Sequence, residues 1–232
     1  MKLFRKSFTI FPMNTKISLT YLILIVAPLF TACRGPVANE NENNASARLT
    51  SSKHAVNEKY AIDKKESLVI WKGSMVFASK GQHTGHVSLS TGELIIEKSQ
   101  LMGGSVVIDM NTITDPIHGS DNNLINHLKD PDFFDVQRFP VSAFTITRVA
   151  PGPGENIDVT GDLTIKGITH EVTFPVTIEV KGSIVHANGK VTIDRTKWDV
   201  RYRSGKFFDN LADEAISDDI EFEVKIVARK KC

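Results

Sequence analysis

Across 232 residues the chain has a formal net charge of +1, 41% hydrophobic and 24% charged residues, and two cysteines. These values suit one ordinary globular domain with short extensions and exclude a disordered, collagen-like or disulfide-stapled protein. The first 32 residues hold Lys2, Arg5, Lys6 and Lys16 and no acid, leaving 24 basic against 27 acidic groups, a net of −3, so no basic face is offered to nucleic acid.

Residues 17–30 (ISLTYLILIVAPLF) form an uncharged apolar run, short for a bilayer span and right for the core of a secretory signal. Thr31 and Ala32 then precede Cys33. Small residues before a lone cysteine at this point resemble the lipobox of bacterial lipoproteins, although Phe30 replaces the usual aliphatic residue. The expected division is a lipoprotein signal at 1–32, with Cys33 as the acylated first mature residue. An uncleaved anchor helix and lipid-free secretion are the alternatives, and Met13 is a second candidate start. Cys232 is left without an intrachain partner, so no disulfide is expected.

Residues 33–57 are rich in Asn, Ser, Ala and Glu without apolar period, and read as a flexible tether. The remaining residues, 58–232, suffice for one buried core. Alternation dominates them: Val172, Phe174, Val176, Ile178 and Val180 on one face, then Ile220, Phe222, Val224, Ile226 and Ala228 on another. Val106, Ile108 and Met110 share the period. Shorter runs lie at 67–74, 92–97, 141–148, 157–166, 183–187 and 190–194. Turns are expected at Ser90-Thr91-Gly92, Gly103-Gly104, 151–154, Lys166-Gly167 and Asn188-Gly189. Many short strands in sequence order imply an antiparallel sandwich or barrel. A helix capped by Asp121 is expected over 121–129, with Leu124, Ile125 and Leu128 on one face, and a weaker helical turn over 212–216.

Several stretches resemble the YceI-like family: Tyr60-Ala61-Ile62-Asp63, HLKDPDFFDV at 127–136, GDLTIKGIT at 161–169, and Ile193-Asp194-Arg195-Thr196, in family order. The pairing of the second and third motifs at this spacing carries the resemblance. It implies an all-β fold: an extended antiparallel lipocalin-like β-barrel of about eight strands with one or two short helices. It also implies non-catalytic binding or transport of a polyisoprenoid or similar long-chain amphiphile in the bacterial cell envelope. The segment around Trp71, and Trp198 with Tyr202, form a variant of the pattern.

A barrel of about eight strands has room for packed side chains or one slim ligand. The candidate lipid wall is Ile108, Met110, Phe144, Ile146, Leu163, Ile165, Phe174, Val176, Trp198 and Phe222, chosen because they lie on strand faces or beside them; a solid core built of the same residues, in an envelope interaction or stress module, is the alternative. His83 and His86 are the tight histidine pair. On a strand, residues three apart face opposite sides, so no metal is expected there, and both are instead head-group candidates at a barrel mouth. Arg195 is a third, and the basic, aromatic 197–206 segment could touch a lipid phosphate. No nucleophile elbow or paired-carboxylate motif is seen, so an enzyme acting on an amphiphile is the alternative rather than the expectation. No cofactor is expected; the partners are the lipid and the membrane through its anchor, and a homodimer stays open. Mass spectrometry of the mature protein is expected to find an acylated amino terminus at Cys33, and an unmodified terminus elsewhere would remove the anchor.

Overall fold

In a computed structural model the chain is described at residues 57–77, 81–117, 119 and 122–231. The signal segment, the tether to residue 56, Cys33, Asp121 and Cys232 lie outside the described residues. The alternating runs become nine strands: β1 (Glu58–Ile62), β2 (Leu68–Ser74), β3 (Gln82–Glu97), β4 (Gln100–Thr114), β5 (Val141–Pro151), β6 (Ile157–Ile165), β7 (Ile168–Lys181), β8 (Ile184–Asp194) and β9 (Asp219–Lys230). All pair antiparallel in the order β1-β3-β2-β9-β8-β7-β6-β5-β4, and a β3–β4 ladder closes the sheet. β1 and β2 both pair with β3 and β9, end to end, and so occupy one position between them. The result is a closed eight-stranded antiparallel barrel, as the sequence pattern and the resemblance imply.

Ser67 stitches the break between β1 and β2, its hydroxyl donating to the Val227 carbonyl at 3.1 Å and accepting from the Val227 N–H at 3.0 Å. Two of the hairpins close in two-residue turns with both residues at positive φ. The β6–β7 turn is Lys166-Gly167, with φ of 49° and 72°, the left-handed pair that a two-residue hairpin of matching twist requires. The β3–β4 turn is Lys98-Ser99, with φ of 49° and 63°, the same geometry without the glycine or asparagine that would have flagged it.

Three of the expected turns are instead strand. Ser90-Thr91-Gly92 lies inside β3, where the register to β4 slips between Leu89 and Thr91. This bulge switches the inward residues from Val87 and Leu89 to Leu94 and Ile96. Gly103-Gly104 lies inside β4, opposite Ile95 and Leu94. A Cβ at Gly92 would stand 2.7 Å from the Ser105 carbonyl and one at Gly104 2.5 Å from that of Glu93, so these glycines mark close strand approach rather than reversal. Asn188-Gly189 lies inside β8, which is one strand and not two, and Gly189 leaves room for the Phe174 ring.

The helix α1 (Asn123–Lys129) is capped by Asn122, whose side chain accepts from the Ile125 N–H at 3.0 Å, in place of the expected Asp121. Its Ile125 and Leu128 are buried against the end of the barrel. The second helical turn narrows to a 3-10 turn at Ala212–Glu214, and another follows β8 at Arg195–Trp198.

At position 85 the strand carries Gly because Trp71 is its cross-strand neighbour, and a Cβ there would strike both the Trp71 ring and the Thr114 carbonyl. Gly85→Ala is expected to lower stability by about 1–3 kcal/mol through overpacking. Gly73→Ala, whose Cβ would have nothing within 4 Å, should stay within about 0.5 kcal/mol. Urea midpoints of the two variants check the contrast.

Candidate functional site

Inside the barrel the inward residues leave an apolar cavity of about 240 Å³ toward the α1 end, and a smaller chamber of about 70 Å³ toward the other. Of the expected wall, Ile108, Met110, Phe144, Leu163, Ile165, Phe174 and Phe222 line the large cavity. Ile146 and Val176 line the small chamber. Phe144 and Phe174 line both, with Val106 and Val224, so these residues partition one interior into two. Their rings lie 5.5 Å apart, and each sits over a glycine: a Cβ at Gly161 would stand 2.5 Å from Phe144, and one at Gly189 3.0 Å from Phe174.

Trp198 lines neither chamber. It falls beyond the end of β8 in the 3-10 turn, where strand parity no longer applies, and it plugs the barrel end against Ile165, Ile193 and Ile220. There its indole N–H donates to the Leu163 carbonyl at 3.0 Å. His83 lines the large cavity, whereas His86, three residues on, does not, so the pair does not converge.

Arg195 also lines the cavity, but its guanidinium is committed to the protein. At 1% exposure it donates to the carbonyls of Ser217 at 2.9 Å, Val200 at 2.7 Å and Ile216 at 3.2 Å, and lies 3.6 Å from Asp218. Burial lowers its pKa, opposed by the carboxylates of Asp218 and Asp194. Arg195 is therefore a clamp on the chain segment that closes this end rather than a free head-group cation. Three of the four basic groups of the 197–206 segment are likewise paired: Arg201 with Asp199 at 2.6 Å, Arg203 with Glu214 at 3.0 Å, and Lys206 with Asp194 at 2.6 Å. Burial pushes the Asp194 carboxyl up, but Lys206 and the Thr196 hydroxyl and N–H together hold it below its ordinary value.

Sequence reasoning missed several wall residues. Trp71 follows Val69 at strand spacing and is only 8% exposed, so the parity used elsewhere would have placed it inside. Its indole N–H is buried and has no acceptor among the described residues. Leu124, His127 and Leu128 of α1, with Phe133 after it, also line the cavity, a docking that only the tertiary fold sets. The His127 ring packs edge-on to Tyr202 at 4.2 Å and to Phe133 at 5.9 Å. Its Nδ1 faces Asp130 at 3.6 Å and Asp132 at 3.9 Å, while its Nε2 is buried and unpartnered. Among the described residues, His127, Asp130 and Asp132 are the one group whose ligand atoms gather closely enough to hold a cation, and both aspartates are exposed.

Residues 60–228 match the YceI-like domain. A UPF0312 protein of Pseudomonas putida is 28% identical over 142 residues, which are 58% of this chain and 69% of that protein. Protein YceI of Shigella boydii is 29% identical over 138 residues, 56% of this chain and 65% of its own length. Among solved structures, BcnA of Burkholderia cenocepacia matches with a TM-score of 0.60 at 24% identity, over 72% of this chain and 99% of that one. A polyisoprenoid binding domain from Saccharophagus degradans, implicated in plant cell wall breakdown, matches with a TM-score of 0.53 at 13% identity, over 74% and 98%. At these identities the two structures establish the shared fold.

Replacing Arg195 by Met keeps an unbranched apolar stem, removes every donor and strands three carbonyls at least partly buried. Arg195→Met is expected to lose roughly 3 kcal/mol or more, since each buried acceptor left unpaired costs about 1–3 kcal/mol. Equilibrium urea unfolding checks it, and a loss below about 1 kcal/mol would show that the clamp is dispensable.

Proposed function

The chain belongs to the YceI-like family, and from that footing we propose that it binds, without catalysis, the hydrocarbon chain of a polyisoprenoid or similar long-chain amphiphile inside its barrel. The observation that carries this is the interior itself: two apolar chambers in line, divided by the Phe144–Phe174 pair. The polyisoprenoid binding domain from Saccharophagus degradans, which shares the fold, supports the choice of ligand class. Each buried methylene contributes about 0.8 kcal/mol, so a chain of a dozen carbons is held without ionic contact.

Size sharpens the proposal. About 240 Å³ exceeds the roughly 150 Å³ of an apolar cavity that admits benzene, yet falls short of the roughly 300 Å³ at which small-molecule pockets usually begin. A long chain therefore needs both chambers, and rotation of the two phenyl rings joins them. The wall supplies hydrocarbon, and its guanidinium is engaged by backbone carbonyls, which supports binding over chemistry. In the same reading Cys33 carries a lipid that holds the domain at a membrane of the bacterial envelope through the 34–57 tether, where the bound amphiphile is stored or transported.

Organic extraction of protein purified from its native envelope is expected to release stoichiometric lipid. Added prenyl or fatty ligand should raise the Tm by mass action, equivalent to about 2.7 kcal/mol at a hundredfold excess over Kd. Phe174→Ala should cost roughly 3 kcal/mol of stability and shift the retained lipids toward longer chains, because it removes half of the partition. If no lipid is extracted and the Tm does not respond, the interior is a packed core and the proposal fails.

A further inference from the structure

The large cavity is lined mainly by apolar side chains, with three serines, two histidines, Trp71 and Arg195 among them, and two of the nitrogens are unusual. Trp71 is 8% exposed, and its indole N–H has no acceptor among the described residues. Buried N–H groups almost always have one. The contrast within the protein is direct: Trp198, the other tryptophan, satisfies the same group on the Leu163 carbonyl at 3.0 Å. Nor is the Trp71 ring free to turn away. It stands in a cross-strand row between Gly85 and Phe222, and it packs so closely over Gly85 that no Cβ fits there.

The second nitrogen is His127 Nε2, also buried and unpartnered, on a ring that lines the same cavity. Asp130 and Asp132 lie on the other side of the ring, 3.6 and 3.9 Å from its Nδ1. The cavity lining thus includes two residues, Trp71 and His127, that each carry a buried nitrogen without a partner among the described residues.

We infer that the amphiphile enters head-inward, with an uncharged oxygen, an alcohol or a carbonyl, accepting a hydrogen bond from the indole N–H of Trp71. This rests on the carrier reading above and names the chemical class of head group. A hydroxyl or carbonyl suits this donor, since its oxygen accepts from the Trp71 N–H. A phosphate or diphosphate does not suit the wall. Among the described lining residues the one permanent cation is Arg195, and its donors already serve Ser217, Val200 and Ile216. An anionic head would meet no permanent cation free to pair with it among these lining residues, and an unpaired charge in an apolar cavity is costly.

The test uses the full chain, stripped of endogenous lipid, with three probes that share one alkyl chain: hexadecane, hexadecanol and hexadecyl phosphate. The two indole N–H resonances are followed by nitrogen-15 NMR while affinities are measured. Hexadecanol is expected to shift the Trp71 resonance downfield and leave that of Trp198 in place. Hexadecane should bind without moving the Trp71 resonance downfield, and hexadecyl phosphate should bind more weakly than the alcohol. Trp71→Phe should weaken hexadecanol roughly tenfold more than it weakens hexadecane, because it leaves the buried hydroxyl without its donor. An unmoved Trp71 resonance in the alcohol complex, equal weakening of both probes in the variant, or tightest binding of the phosphate would each overturn the head-group assignment while leaving the carrier reading intact. Failure of all three probes to bind would overturn both.

Discussion

Closure of the sheet through the β3–β4 ladder is the constraint on which everything inside the barrel depends. Once eight strand positions form a ring, the distance across it is set by backbone geometry, and side-chain size alone decides whether the interior is solid or hollow. Here large and small residues alternate across facing strands. Gly161 and Gly189 accept the rings of Phe144 and Phe174, which meet near the middle, while the space on either side stays open. The same glycines that would weaken an ordinary strand are what lets two phenyl rings stand inside this one.

The α1 end is closed by polar forces rather than by strand pairing. Arg195 follows directly from β8 and gathers the carbonyls of three residues, two of them just before β9. Lys206 bridges Asp194 and Asp218 over the same junction, at 2.6 and 3.2 Å. The Arg195 guanidinium also stands 5.7 Å over the Phe133 ring, and Tyr202 packs on His127. The segment between β8 and β9 is thereby tied both to the barrel and to α1. A buried guanidinium is tolerated because its donors are answered by carbonyls and a carboxylate, and this commitment is what removes it from the pool of ligand-binding cations.

The interior is therefore apolar in extent but not featureless. Family membership accounts for the barrel and for its YceI-like motifs, while the Trp71 indole and the His127 imidazole impose polar demands that hydrocarbon cannot meet. Both nitrogens are held from behind, Trp71 by Gly85 and His127 by Tyr202 and Phe133, so neither can relax into the wall. Rigid polar atoms in an apolar cavity act on ligand choice more than on affinity, because they penalise every guest that leaves them unpaired.

Alternation alone was enough to identify β7 and β9, since Val172 to Val180 and Ile220 to Ala228 each keep one unbroken period of two and bury one face. Parity also placed Ile108, Met110, Phe144, Leu163, Ile165, Phe174 and Phe222 on the cavity side, because the side-chain direction of a regular strand is local information. Local information ends where the strand does: Trp198 lies just past β8, and its burial as a plug follows from a 3-10 turn that sequence period does not describe. Glycine was ambiguous for a related reason. At Lys166-Gly167 it reverses the chain, whereas at Gly92, Gly104 and Gly189 it makes room for a carbonyl or a ring supplied by another strand. The fate of Arg195 and of His127 was likewise beyond the sequence, because their partners come from 5 to 22 residues away in one case and from a docked loop in the other. The pattern of residues determines which face of each strand is apolar; only the closed ring, by setting what stands across from each face, decides whether that face packs, opens into a cavity, or leaves a polar atom waiting for a guest.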